Sequence, residues 1–320
     1  MARRRSTVAT LIVGILALAA IILLAINFSD ISAFADQAAR ARPAWLVAAI
    51  LSQLSTYVCV AIVWRLVLFR LESPLPLSTL VPLSVAKLFA DQALPSGGVS
   101  GAAFLLYALT RRGVSDKTAF RTFVLATVAF FFAFLLASII SLFALSTADA
   151  APPALAASIS VFAAIFLFLA VAASLFFIYK PSVTPAWIAK RRWTAKASEF
   201  IGAAARDIGQ KPALFSQATL LQFTVRMLDG LTLYLAFQAI GVDASLLGCF
   251  FAVVIASAAA TIGPIPMGLG TFEAGMIAAL RVFGAGLEDA LTATLIYRGL
   301  SLWLPLLPGF FIIQREFLRS

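Results

Sequence analysis

The chain has 320 residues, of which 62% are hydrophobic and 12% charged, and its mean hydropathy is +1.02. Soluble domains contain about 45–50% apolar and about 25% charged residues, so this composition excludes an ordinary soluble fold. Apolar runs of about 20 residues, the length needed to cross a bilayer, recur along the whole chain. The sequence therefore predicts an all-α, polytopic membrane helical bundle.

The net charge is +10, from 24 Lys and Arg against 14 Asp and Glu, and the chain contains no histidine. Without histidine, a histidine-based metal site or general base is excluded, and we predict no metal and no cofactor. The two cysteines, Cys59 and Cys249, lie in apolar runs and are expected to be small buried hydrophobes rather than a disulfide. No phosphate-binding loop of the ATPase type is present, so ATP hydrolysis is not expected.

Six long apolar segments are predicted to span the membrane: 8–28, 44–69, 118–146, 153–179, 212–240 and 288–313. The first follows Arg3-Arg4-Arg5 and is longer than the apolar region of a signal peptide, so we expect a retained helix. Two pairs of shorter segments lie between the long ones: 77–93 with 98–112, and 245–262 with 268–284. Each short segment is marginal for a full span, so these pairs are either re-entrant hairpins or short tilted helices.

The distribution of positive charge predicts the orientation. With the N-terminus in the cytoplasm, most of the Lys and Arg residues fall on the cytoplasmic side, and both termini lie there. Because topology accounts for the excess of positive charge, no nucleic-acid partner is needed. The basic loop 180–211 also contains Trp187 and Trp193, which predicts a segment lying along the cytoplasmic surface of anionic lipid.

Proline and glycine interrupt both short pairs in a similar way. Sliding the sequence by 171 residues superimposes Pro95 on Pro266 and Gly97 on Gly268, and gives seven identities in 25 positions. Broken helices at corresponding places in two halves point to the binding site of a transporter. In the predicted topology the two breaks have opposite orientations, so the motifs 77–121 and 245–298 form an inverted repeat.

The glycines of the breaks have two interpretations: Gly97, Gly98, Gly268 and Gly270. They allow sharp turns that expose the amide groups of a following helix N-terminus, which suit a phosphate or carboxylate. Alternatively, they permit close packing between helices.

Ionisable residues inside predicted spans are candidates for function because they are costly in lipid. Lys87 and Asp91 are four residues apart, and Arg226 and Asp229 are three apart, so each pair can neutralise itself on one helix face. Both pairs are interpreted either as structural pairs or as part of a substrate path.

Glu273 and Arg298 have no opposite charge one helical turn away. An unpaired charge at such a position costs several kcal/mol, so we predict that the two residues pair with each other. Two roles remain open, namely a structural bridge or a bridge that also opens to bind a headgroup.

The C-terminal motif resembles a known family. The motif consists of 265–273 (IPMGLGTFE), Gly284, Ala290, Tyr297, Arg298, Trp303, Pro305 and Gly309. It is similar to the signature of the lysylphosphatidylglycerol synthase transmembrane-region, or flippase-like, family of bacterial and archaeal membrane proteins, and 94–101 resembles its first signature. The resemblance implies about eight membrane helices with broken or re-entrant segments, a location in the cytoplasmic (inner) membrane and movement of phospholipids between leaflets.

Two departures from the family pattern matter. Family members often carry an acidic residue and an arginine after the first break, where this chain has 99–103 (VSGAA). No soluble transferase domain is expected after Ser320, so aminoacyl transfer is not predicted for this chain.

The predicted function is non-catalytic translocation of a lipid by a single transmembrane domain, 1–320. The predicted substrate-binding residues line a central polar cavity: Lys87, Asp91, Pro95, Gly97, Gly98, Arg226, Asp229, Pro266, Gly268, Gly270, Glu273 and Arg298. The expected partners are phospholipids with anionic headgroups and a separate lipid-modifying enzyme. Alternatives are an ion- or proton-coupled transporter of small solutes, a scaffold for a separate synthase, and a membrane enzyme using Glu or Asp.

Overall fold

A computed structural model describes residues 41–93, 99–146, 209–262 and 268–318, together with positions 160, 164 and 207. These ranges contain helices and turns and no strand, which confirms the all-α prediction. The helices are α1 (Pro43–Arg70), α2 (Leu77–Ala93), α3 (Val99–Thr110), α4 (Asp116–Ser146), α5 (Pro212–Ile240), α6 (Leu246–Ile262), α7 (Thr271–Val282) and α8 (287–318). In α8, a π-helical turn at Gly299–Trp303 separates α-helical turns at Leu287–Arg298 from those at Leu304–Leu318.

Among the described helices, four are long and apolar enough to cross a membrane: Pro43–Arg70, Asp116–Phe143, Pro212–Ile240 and Leu287–Glu316. They correspond to four of the six predicted spans, with ends that differ by a few residues. Both α1 and α5 begin with a proline in the first turn, where the missing amide hydrogen costs nothing. The predicted spans 8–28 and 153–179 lie outside the described residues.

The two short pairs are helical hairpins in which α2 packs on α3 and α6 packs on α7. Within each hairpin the helices have 17 and 12 residues. At a rise of 1.5 Å per residue they are about 26 and about 18 Å long, which is less than the roughly 30 Å of a bilayer core. How deeply these hairpins enter the membrane stays a prediction.

The helices α1–α4 are repeated in order as α5–α8. The helices α1 and α5 have 28 and 29 residues, and the hairpin helices match in length. The turn after each hairpin contains a glycine with positive φ, 83° at Gly113 and 92° at Gly284, 171 residues apart. Each glycine precedes an equivalent backbone bond, from Val114 N to Leu109 O and from Ala285 N to Leu280 O. The sequence similarity at this offset therefore corresponds to a structural repeat.

The first helices of the two halves, α1 and α5, pack along each other in opposite directions. Arg42 N, at the start of α1, donates to Ala239 O near the end of α5 at 2.8 Å. At the other end of the pair, Lys211 Nζ donates to Arg70 O at 3.4 Å. At an offset of 169 residues the two contacts join corresponding positions, because Arg42 corresponds to Lys211 and Arg70 to Ala239, although the donor is a backbone amide in one and a side-chain ammonium in the other. Antiparallel packing of equivalent helices is the geometry expected of an inverted repeat.

Two apolar cores flank the antiparallel pair. One contains Trp64 and Leu68 of α1 together with residues of the first hairpin, and the other contains Phe237 of α5 together with residues of the second hairpin. Large apolar side chains such as Phe143 and Leu220 point outward from the long helices, which suits contact with lipid chains. Each hairpin is thus held by its own core beside the α1–α5 pair.

Candidate functional site

Glu273 lies in the first turn of α7 and binds two partners at once. Its Oε2 accepts a hydrogen bond from Gly270 N at 2.7 Å, and its Oε1 accepts one from Arg298 Nε at 2.6 Å. The carboxylate therefore compensates the positive end of the helix dipole and also neutralises an arginine that is 7% exposed. The predicted pairing of Glu273 with Arg298 is confirmed.

Aromatic rings cover both buried guanidinium groups. Arg298 Cζ lies 4.8 Å from the centre of the Phe272 ring, and that ring stacks on Tyr297. Arg226 Cζ lies 4.7 Å from the centre of the Phe134 ring of α4. Such contacts are stronger where water is excluded, so they help to keep these two charges inside the bundle.

Arg226 and Asp229 form a second ion pair, with Nη1 and Oδ2 2.9 Å apart. The predicted pairing on one face of α5 is confirmed. Both side chains are largely buried, and Asp229 faces Gln53 and Tyr57 of α1. The pair therefore lies at the interface between the two antiparallel helices.

Sequence reasoning missed the contribution of α1. Ser52, Gln53, Thr56 and Tyr57 are buried and form one polar face of a largely apolar helix. Ser52 Oγ donates to the carbonyl of Leu228 in α5 at 3.1 Å. The signal was present in the sequence, because residues four apart lie one above the other on a helix, which aligns Ser52 with Thr56 and Gln53 with Tyr57 in two adjacent rows.

Tyr297 lies near both ion pairs. It is buried and lies within electrostatic range of Asp229, Arg226, Arg298 and Tyr57. We call this group the central polar cluster: Gln53, Tyr57, Arg226, Asp229, Glu273, Tyr297 and Arg298. The π-helical turn of α8 starts directly after Arg298, and such turns often occur at functional sites.

The third predicted pair, Lys87 and Asp91, lies on α2, with Nζ and Oδ2 2.6 Å apart. Asp91 Oδ1 also accepts a hydrogen bond from Gly101 N of α3 at 3.0 Å. The two side chains are 26% and 22% exposed. Among the residues that the structure describes, the ion-pair and hydrogen-bond partners of Lys87 and Asp91 lie within the first hairpin.

The glycine breaks are described in part. Gly268 and Gly270 precede α7 with φ of 64° and 82°, and Gly268 packs against Ala260 of α6. The other predicted residues of the breaks fall outside the described residues: Pro95, Gly97, Gly98 and Pro266. The amide of Gly270, expected to be available to a ligand, is already bound by Glu273. An incoming phosphate would therefore have to compete with a carboxylate of the protein itself.

Ion pairs also tie helix ends together at the end where α3 and α8 finish. Arg112 makes a two-pronged contact with Glu316, at 2.9 and 2.7 Å. Arg121 makes a two-pronged contact with Asp207, at 2.5 Å for each bond.

A surface pocket lies by the α5–α6 and α7–α8 turns, lined by residues that include Asp243, Ser245 and Phe283. This pocket is separate from the central polar cluster.

The fold and these charged groups define a polytopic α-helical membrane protein that buries ion pairs between its spanning helices. The sequence profile of the family described as "Lysylphosphatidylglycerol synthase TM region" matches residues 11–309, so the chain belongs to that family. The resemblance stated above is therefore confirmed. A comparison with curated proteins found no match. The family indicates a lipid-related function in a membrane.

Proposed function

We propose that this chain translocates phospholipids with anionic headgroups between the two leaflets, with the central polar cluster as the headgroup site. The observation that carries the proposal is the bridge between Glu273 and the buried Arg298. Its carboxylate is bound by a helix amide as well as by the guanidinium, so it can release one partner and keep the other. A phosphate is the natural competitor for that guanidinium, since arginine binds phosphate and carboxylate with the same donor geometry.

The proposed path follows from charge and burial. The headgroup enters between helices while the acyl chains stay in the bilayer, beside outward-facing residues such as Phe143 and Leu220. The phosphate replaces Glu273 on Arg298, and the pair Arg226–Asp229 keeps the rest of the site electrically neutral. Because the two halves form an antiparallel repeat, rocking one half against the other would expose the cluster to alternate leaflets.

The proposal includes a setting. We place both termini on the cytoplasmic side of a bacterial or archaeal cytoplasmic membrane, as the distribution of Lys and Arg favours. The hairpins would enter from opposite sides as broken or re-entrant elements. The chain itself acts without chemistry on the lipid, and a separate enzyme would modify the headgroup.

The test is translocation in vesicles. Purified protein is reconstituted with a trace of acyl-chain-labelled anionic phospholipid, and dithionite reports the rate at which label reaches the outer leaflet. We expect the wild type to accelerate translocation with no soluble substrate added, and Arg298→Ala to return the rate to that of protein-free vesicles. Arg281→Ala, which removes an exposed arginine at the end of α7, is the matched control and should keep the wild-type rate.

Two results would contradict the proposal. If folded wild-type protein moves lipid no faster than protein-free vesicles do, the chain does not translocate lipid. Transport of small solutes would then be the function to test. If Arg298→Ala keeps the wild-type rate, as Arg281→Ala is expected to do, the bridge has no part in translocation.

A further inference from the structure

The two ends of α8 pack in different halves of the molecule. We call Leu287–Arg298 the N-terminal arm and Leu304–Leu318 the C-terminal arm. The N-terminal arm contributes Tyr297 to the core of the second hairpin, and the C-terminal arm packs Ile312 against the core of the first hairpin. The π-helical turn lies between the arms. The change of packing partner along α8 therefore coincides with the change of helix geometry.

The C-terminal arm and the first hairpin are joined closely. Gly309 lies so near α2 that a Cβ atom there would come within 2.6 Å of the Phe89 Cβ atom. Phe310 meets the Phe89 ring edge-on, with the ring centres 5.9 Å apart. At the end of the arm, the Glu316 carboxylate accepts two hydrogen bonds from Arg112 of α3. Contacts with both helices of the hairpin thus make the hairpin and the arm one body.

A second set of contacts joins the neighbouring helices at the same end of the molecule. Asp207 accepts hydrogen bonds from Arg121 near the start of α4, and it lies 3.7 Å from Lys211 just before α5. Lys211 in turn donates to Arg70 O at the end of α1. These contacts tie α1, α4 and α5 to one another. This end therefore has two groups of helices, each with polar contacts of its own.

The helix α4 is the equivalent of α8 in the repeat and shows what is special about α8. It also reaches both cores, with Leu125 in the first and Ala137 in the second, but it is α-helical throughout. In α8, Leu304 N bonds to Gly299 O five residues back, and Pro308 removes an amide donor in the next turn. Helices bend most readily where the regular ladder is interrupted, so α8 bends between the cores more easily than α4.

We infer that the π-helical turn is a hinge, about which the C-terminal arm and the first hairpin swing as one body against α1, α4 and α5. The inference rests on the proposed function, because it states where the rocking motion bends. Arg298 immediately precedes the hinge, so the loss of its bond to Glu273 frees the helical turn that carries it. Headgroup binding and the swing are thereby coupled, and the swing opens the central polar cluster towards one leaflet.

Deleting one residue from the π-helical turn tests the hinge. Because the bonds of such a turn span one residue more than those of an α-helix, deletion of Ser301 should restore a regular helix and keep both arms in register. We expect this variant to retain the wild-type unfolding temperature and to lose translocation of labelled anionic phospholipid. Deletion of Phe311 is the matched control, since it keeps the π-helical turn but separates Glu316 from Arg112, and it should lower the unfolding temperature.

Distances between spin labels test the motion without altering the hinge. Labels are attached to exposed positions in a Cys59→Ala, Cys249→Ala background, either at Gln314→Cys with Ala213→Cys or at Gln314→Cys with Ser78→Cys. The arm has 15 residues and is about 22 Å long, so a bend of about 20° moves its end by about 8 Å. In nanodiscs, we expect added anionic phospholipid to change the distance from the arm to α5 by several ångströms and to leave the distance from the arm to α2 unchanged.

The outcomes separate the hinge from translocation. If the Ser301 deletion keeps wild-type translocation, or if the distance from the arm to α5 ignores anionic phospholipid, the hinge is overturned while translocation stands. A change in the distance from the arm to α2 would overturn the single moving body. If the distance to α5 changes but wild-type protein moves no labelled lipid, the hinge stands and the proposed translocation fails. If the deletion prevents folding, the distances alone decide.

Discussion

In both hairpins of the repeat a carboxylate binds the start of the second helix, but the carboxylate pairs with a cation from a different place. In each, a carboxylate accepts a hydrogen bond from an amide at the start of the second helix. In the first hairpin that carboxylate is Asp91 of α2, and its cation is Lys87 on the same helix. In the second it is Glu273 of α7 itself, and its cation is Arg298 of another helix.

This difference indicates which half binds the headgroup. The charges of the first hairpin are satisfied inside the hairpin, so a change there stays local. The ion pair of the second hairpin links α7 to α8, and the neighbouring Tyr297 lies within electrostatic range of Asp229 at the α1–α5 interface. We therefore expect substrate and conformational coupling to act mainly through the second hairpin.

Breaking the ion pair between Glu273 and Arg298 should have the largest effect on stability and on translocation. Glu273→Ala leaves the buried Arg298 without its carboxylate, which costs about 3 kcal/mol when one partner of a buried pair is removed. We expect a lower unfolding temperature in detergent and a translocation rate at the protein-free level. Exchanging the charges, with Glu273→Arg and Arg298→Glu together, should recover much of the unfolding temperature. A charge-exchanged protein that also recovered full transport would assign the bridge a structural role only.

Disrupting the cap of the first hairpin should have a smaller effect. A Cβ atom at position 101 would overlap the Asp91 carboxylate, so Gly101→Ala forces that carboxylate away from the amide. The loss of a charged hydrogen bond predicts a destabilisation of about 2 kcal/mol, measured by thermal unfolding. Gly209→Ala, where a Cβ meets nothing within 4 Å, is the matched control and should be nearly neutral. Equal unfolding temperatures for the two variants would contradict the described contact.

Arg112→Ala tests the two-pronged contact between α3 and α8. The contact is partly exposed, with side chains 25% and 13% accessible, so we expect a destabilisation of about 1 kcal/mol that shrinks in high salt. The equivalent end of the second hairpin has the exposed Arg281, and Arg281→Ala should not change the unfolding temperature. A loss of stability that is the same at low and high salt would show that packing, rather than charge, holds this end together.

Lys87→Ala should have the smallest effect. Its pair is partly exposed and lies within one helix, where such pairs contribute about 0.5 kcal/mol or less. Asp91 keeps its bond to Gly101 N, so translocation should stay within about twofold of the wild type, as a change of that size in free energy allows. A loss of transport as complete as that of Arg298→Ala would place the headgroup in the first hairpin as well and remove the contrast between the halves.

Much of this arrangement could be predicted from the sequence because local rules govern it. The spacing of Arg226 and Asp229 places them on one helix face. Glu273 and Arg298 have no opposite charge one helical turn away, so pairing with each other was the arrangement that avoided an isolated charge. The repeat was visible as identities such as Gly113 and Gly284, where a turn requires a positive φ.

The remaining features depend on packing between distant segments. The polar face of α1 is readable as a pattern, but nothing in the sequence brings Gln53 and Tyr57 to Asp229, which is more than 170 positions away. The binding of Glu273 to the Gly270 amide was also missed, because a helix N-terminus that suits a phosphate suits a carboxylate of the chain equally well. The π-helical turn after Arg298 follows from tertiary context and carries no sequence signal that we can identify.

The most direct test of the account is the translocation rate of the double variant Glu273→Ala with Arg298→Ala. Removing both charges leaves no unpaired ion in the bridge, so this variant separates the function of the bridge from the cost of an isolated charge. In vesicles containing labelled anionic phospholipid, with folding verified by thermal unfolding, we predict the protein-free rate. A wild-type rate from the folded double variant would contradict the claim that the Glu273–Arg298 bridge binds the headgroup.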